Sequence, residues 1–195
     1  SLCFALATGV GKTRLMGAFI AYLFKAEGIR HFFVLAPNLT IYNKLIADFT
    51  PNTPKYVFQG ISEFAVEPPE VITGNNYESG RGVRSRDLFG ENAIHINIFN
   101  ISKITSTETP KGGVKSNIPR FRRLQEYIGQ SYFEYLSQLD DLVLLMDESH
   151  RYRASAGMKA IGELKPILGL ELSATPQVER SGGRQAFQNV IYAYP

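Results

Sequence analysis

The 195-residue sequence holds one cysteine, Cys3. No disulfide framework and no Cys/His zinc site can be assembled from it, which fits a reducing, cytoplasmic setting. Long apolar runs are missing too. None approaches the ~20 residues that a helix needs to cross a bilayer, and the start has neither a charged leader nor a small-residue cleavage site. A soluble protein without a membrane partner is expected. No segment repeats. Charge of one sign is scarce overall, with 21 Lys/Arg against 18 Asp/Glu leaving +3. The length suits one domain with a proper core. The chain opens directly on an apolar run and stops at Tyr194-Pro195 without a polar tail, so a fragment of a longer protein is expected.

The small charge excess is unevenly placed. Between Thr73 and Arg123 nine Lys/Arg face four acids, which leaves −2 for everything else. A local basic excess is a possible nucleic-acid footprint. A solvated pair of loops, 74–92 and 106–120, accounts for the same residues.

What the sequence does contain is a series of apolar runs ending in polar clusters. Ser1–Leu6 reads as a buried strand, followed by Ala7-Thr8-Gly9-Val10-Gly11-Lys12-Thr13. Thr13–Glu27 reads as a helix, apolar on nearly every side and so largely buried, with Gly28 as its stop. Phe32–Ala36 has no alternation, as in strands covered on both faces. Leu39–Phe49 has helical spacing. Short strands are expected at Tyr56–Phe58 and Glu70–Thr73, and a longer one at Ile94–Phe99. The steps of three and four from Phe121 through Leu139 predict a helix of about five turns. Leu142–Met146 and Leu168–Leu172 read as strands, with part of Arg151–Leu164 helical between them and Ala186–Tyr194 as a short apolar tail. Strands alternating with helices predict a three-layer α/β/α fold around an open, mostly parallel sheet, whose strand ends share one ligand-binding edge.

The polar clusters lie at those ends. Strand, glycine turn, lysine, hydroxyl and helix is the order of a P-loop, in which main-chain N–H groups and the helix dipole face phosphate oxygens. The pattern departs from GxxxxGKT in having Leu6 at the first glycine position. A glycine turn between a core strand and a core helix is the plainer alternative. Asp147 and Glu148 follow five apolar residues. Charge beside a core is costly without a partner, and a nucleotide-bound Mg²⁺ would supply one, with Asp147 on the metal and Glu148 taking a proton from water. Acids capping the next helix are the structural alternative. His150 alone reads as a hydrogen-bonded structural residue, and turn chemistry accounts for Ser173 and Thr175.

Taken together, ATGVGKT, DESH and SATP resemble motifs I, II and III of superfamily 2 helicases and translocases. The strand ending in PNLTI, the strand INIFNISKI and the stretch from Asp141 to Pro176 more narrowly resemble the motor part of restriction subunits of type III restriction–modification systems. The resemblance implies a P-loop NTPase fold, the first RecA-like domain, over residues 1–195, with loops 74–92 and 106–120 inserted. It implies that Thr8, Gly9, Val10, Gly11, Lys12 and Thr13 bind ATP, and that Thr13 and Asp147 hold Mg²⁺. Glu148 would activate water, and His150 would contact Ser173 or Thr175 and link nucleotide state to movement. Pro37, Asn38, Asn100 and Ser102 would lie near nucleic acid. Arg84, Arg86 and Lys111, in the two basic loops, are candidate DNA contacts on their charge. Double-stranded DNA and a modification methyltransferase subunit are the implied partners. Ser149 departs from the usual DEAH box but stays small. A second motor domain, which would donate arginines to the γ-phosphate, and a nuclease domain are not in this sequence, so the fragment alone is expected to bind ATP weakly and turn it over slowly. The alternatives are a motor of type I restriction or DNA repair, a small-molecule NTPase, and a silent scaffold.

Overall fold

The computed structural model describes residues 2–7, 9–79, 81–83, 93–102, 120–122, 124–125, 129–148, 155–174, 178–181, 184–187 and 190–194. Its elements run β1 (Leu2–Leu6), α1 (Lys12–Glu27), β2 (His31–Ala36), α2 (Leu39–Phe49), α3 (Ser62–Val66), β3 (Glu70–Thr73), β4 (His95–Asn100), β5 (Leu124–Gln125), β6 (Gln130–Ser131) and α4 (Tyr132–Ser137). They continue with β7 (Leu142–Asp147), α5 (Ser155–Glu163), β8 (Leu168–Ser173), β9 (Val178–Ser181), β10 (Arg184–Phe187) and β11 (Val190–Tyr194).

Seven strands make one sheet in the order β11-β1-β8-β7-β2-β4-β3. Every neighbouring pair in it is parallel. The continuous apolar runs follow from burial on both faces. Phe32, Val34 and Ala36 of β2 point into a core covered by α1, α2 and α3. Phe33 and Leu35 point the opposite way, into a core covered by α4 and α5. That second core is rich in rings: Phe33 stacks on Phe99 with centroids 5.4 Å apart, and Phe121 packs edge-on to Tyr132. Deep polar groups there are paired: Tyr132 donates to the Asn97 side chain, which donates to the Phe32 carbonyl. Among the described residues, no helix is long and apolar enough to cross a membrane.

The three-layer parallel architecture agrees with the sequence reading; four local expectations do not. Tyr56–Phe58 is not a strand. The segment turns, with Val57 N–H bonded to the Asp48 carbonyl at 2.9 Å, and its three side chains are buried against α1 and α2. Gly17 permits this approach, because a Cβ there would stand 3.0 Å from that of Val57. Phe121–Leu139 is not one helix. A 3-10 turn (Arg120–Arg122), the β5–β6 hairpin and α4 share the segment. Gly129, at φ 69°, breaks the path, and the reciprocal Ser131–Glu134 capping box starts α4 afresh. The spacing recorded a shared core, met by Phe121 from the 3-10 turn and by Tyr132 and Leu136 from α4. Third, α1 is only half-buried: Met16, Gly17, Ile20 and Ala21 face the core while Tyr22 is exposed. Finally, the apolar tail is structured. Residues 184–187 pair with β9 in a hairpin, and β11 joins the main sheet beside β1. The 74–92 loop, where described, includes two 3-10 turns with Tyr77 buried. Loop 106–119 lies outside the described residues.

Candidate functional site

β1 ends at Leu6, and the chain turns through Gly9 and Gly11, both in the left-handed region at φ 85° and 92°. Side chains rarely adopt that conformation. Gly11 stands at the N-cap of α1 with no side-chain cap, and the first turn of the helix holds no acid. The helix therefore presents its N–H groups and positive dipole end to this edge of the sheet. Lys12 and Thr13 open the helix. Two strands away, β7 delivers Asp147 and Glu148 to the same edge. The two sets line one cleft of about 530 Å³, together with Arg14, Lys44, Asp48 and Lys55.

Lys12 Nζ lies 2.5 Å from Glu148 Oε1, a contact between residues 136 positions apart. Glu148 is held in a left-handed conformation, φ 52°, which is uncommon outside glycine and marks strain. Its N–H donates to the Leu172 carbonyl at 2.8 Å, and its Oε2 accepts a longer contact, 3.4 Å, from the Ala174 N–H. Asp147 is buried. Burial pushes its carboxyl above the ordinary range, and the neighbouring Glu148 adds to the rise, while Lys12 and Lys44 oppose it. Thr13 Oγ1 accepts from Lys44 Nζ at 3.0 Å.

A magnesium triphosphate fits these residues. A Cβ at Gly9 would meet nothing within 4 Å, so the turn opens onto free space. The uncapped helix start and Lys12 suit an anion, and the Thr13 hydroxyl and Asp147 are hard oxygen donors. Among the described residues, no three His, Cys, Asp or Glu could hold a metal by themselves.

The structure thus brings Gly9, Gly11, Lys12, Thr13, Asp147 and Glu148 together. Val10 sits half-exposed at the tip of the turn. Ser173 is fully buried at the end of β8. Pro37 follows β2, and Asn38 caps α2 by accepting from Ile41 N at 2.9 Å. Asn100 ends β4 and accepts from Ser102 N and Oγ at 3.0 and 3.1 Å. These four lie along the carboxyl edge, with the described side chains of Asn38, Asn100 and Ser102 engaged in local turns. Thr8, His150, Thr175, Arg84, Arg86 and Lys111 lie outside the described residues. Sequence reasoning missed Lys44, Asp48, Arg14, Lys55 and the Ala174 N–H. Asp48 carried a signal: it falls three residues after Leu45 on the buried face of α2, where an acid needs a partner.

An all-parallel sheet bearing a glycine turn, a lysine and two strand-end acids on one edge defines a P-loop α/β domain of the RecA-like kind. Within that class the chain belongs to the family described as "ResIII: Type III restriction enzyme, res subunit", which matches residues 1–178. This sets it among superfamily 2 helicase motor domains, a class of ATP-hydrolysing enzymes. The chain is similar to the "Probable type III restriction-modification enzyme HindVIP Res subunit" of Haemophilus influenzae, at 30% identity over 183 residues. That match covers 93% of this chain and 30% of the relative's length. Among solved structures, the Sulfolobus solfataricus SWI2/SNF2 ATPase core in complex with dsDNA aligns with 90% of this chain and 28% of its own, at 14% identity and a TM-score of 0.45. At that score the likeness adds nothing to the family assignment.

Proposed function

We propose that residues 1–195 are the first RecA-like domain of an ATP-driven DNA translocase, the restriction subunit of a type III restriction–modification system. The observation that carries the reading is the meeting of Lys12, Glu148 and Asp147 in one cleft from opposite ends of the sequence. The turn from Thr8 to Gly11 and the start of α1 would bind the phosphates. Lys12 would exchange Glu148 for the γ-phosphate, which frees the carboxylate to take a proton from the attacking water. Thr13 and Asp147 would hold magnesium, whose charge offsets that of the triphosphate. The contact from the Ala174 N–H ties Glu148 to the end of β8. Through it, along with His150, Ser173 and Thr175, nucleotide state would reach the DNA-facing edge.

Pro37, Asn38, Asn100 and Ser102 would lie along the DNA backbone, with Arg84, Arg86 and Lys111 adding phosphate contacts. Such contacts are sequence-independent and salt-sensitive. Duplex DNA and a methyltransferase subunit are the partners of this reading, and a second motor domain completes the site. The test is ATP hydrolysis by the protein that carries this domain, with and without duplex DNA. Stimulation by DNA that disappears in Lys12→Met is the expected result, and indifference to every nucleic acid overturns the reading. The isolated domain should turn over far more slowly, because an arginine supplied by a second domain is worth roughly 10³–10⁵ in rate in related chemistry.

A further inference from the structure

Lys44 is one of four cationic side chains that line the cleft, with Lys12, Arg14 and Lys55. It projects from α2, which follows β2, three strands away from β1 and its glycine turn, and its Nζ donates to Thr13 Oγ1 at 3.0 Å. The same ammonium lies 3.4 Å from Asp48 Oδ2, one helical turn further along α2. Asp48 is buried, so the carboxylate is a fixed anchor, whereas the Lys44 side chain is 53% exposed and has solvent to move into. Asp147 lines the same cleft.

We propose that Lys44 is a positioning residue that guards the Thr13 hydroxyl, excluding a divalent cation that arrives without a nucleotide. The inference rests on the nucleotide reading above, in that the metal position at stake is the one between Thr13 and Asp147. A hydroxyl that accepts an ammonium proton has one lone pair engaged, and the ammonium charge stands beside any cation that approaches the other. Like charges a few ångströms apart in a water-exposed cleft repel enough to weaken metal binding about tenfold. A triphosphate reverses the balance. Its negative charge attracts both cations, so the metal enters with the nucleotide and Lys44 leaves Thr13 for phosphate or solvent.

The experiment titrates Mn²⁺ alone into the full chain and follows free Mn²⁺ by electron paramagnetic resonance. Lys44→Met removes charge and donor, and Lys44→Gln removes the charge while leaving a shorter, neutral donor. Thermal melts verify that each variant is folded. Both variants should bind Mn²⁺ about tenfold more tightly than the parent, and adding Asp147→Asn should abolish the gain. Unchanged affinity in both variants overturns the proposal, as does a gain in Met alone or a gain that survives Asp147→Asn. Binding of ATP in the presence of a chelator, compared between the parent and Lys12→Met, reports separately on the nucleotide reading. Its failure would leave the Mn²⁺ result interpretable.

Discussion

The two edges of the parallel sheet each hold a contact of 2.5 Å between a basic and an acidic side chain. At the carboxyl edge Lys12 meets Glu148; at the amino edge His31 Nδ1 meets Asp141 Oδ1. Asp141 also accepts from the Arg30 N–H at 2.8 Å, and His95 lies 3.7 Å from Glu70 with its ring 5.4 Å from that of His31. Titration is disturbed at both edges. Burial raises Asp147. Burial lowers His95 to about 4, and the charge of His31 adds to the fall. Burial pushes Asp141 up too, but its bonds from His31 and Arg30 hold it below the ordinary value. A shifted proton affinity therefore does not single out the functional edge. Open volume does: the carboxyl edge has the 530 Å³ cleft, lined by the glycine turn and by Glu148. Left-handed backbone does not, since Lys165, ahead of β8 at the amino edge, shares it at φ 51°. At the amino edge the bonds of Asp141 to His31 and to the Arg30 N–H tie the strand starts together.

Mutations can break this contrast. Glu148→Gln should lower ATP turnover by roughly 10²–10⁴ in the protein that carries this domain, the usual worth of a general base, while nucleotide binding survives. Single-turnover hydrolysis beside nucleotide titration would check it, and equal loss in both would place Glu148 in binding instead. At the amino edge the effect should fall on stability. The folded value of His95 is below its unfolded one, so stability is full above pH ~6.5 and declines as pH falls toward 4, where only the unfolded chain takes the proton. The drop should be about 3 kcal/mol at 1.36 kcal/mol per pKa unit. Urea denaturation at stepped pH should show it, and His95→Gln should flatten that window without changing nucleotide affinity. The smallest effect tests whether an edge residue read as a DNA contact also has a structural task. Asn38→Ala should cost about 1 kcal/mol through the lost cap of α2, and Asn38→Ser should restore most of it. A null result by thermal melting would leave Asn38 to DNA alone.

Much of this was legible because burial on both faces leaves a plain record. Phe32–Ala36 and Leu142–Met146 are unbroken apolar runs, and each is a central strand. Lys12, Thr13, Asp147 and Glu148 were legible because a polar cluster straight after such a run can only sit at a strand end. Phe121–Leu139 misled because helical spacing records which side chains reach a common core, and a 3-10 turn and a separate short helix reached it together. Tyr56–Phe58 misled because three consecutive buried residues need not extend if a neighbour such as Gly17 yields room. Lys44 left no pattern at all. A lysine on a helix looks solvated until the fold sets a hydroxyl 3.0 Å from it.

The pairing of β11 with β1 sets a timetable for synthesis. Cys3 lies beside Val190 and Leu6 beside Tyr194, so the strand that carries the glycine turn is flanked on one side by a segment made nearly two hundred codons later. On a ribosome adding about 5–20 residues per second, its outer ladder of hydrogen bonds stays open for on the order of ten seconds or more. During that interval an extended peptide from elsewhere can add to the same edge, which makes β1 the natural client of a chaperone until β11 has been made.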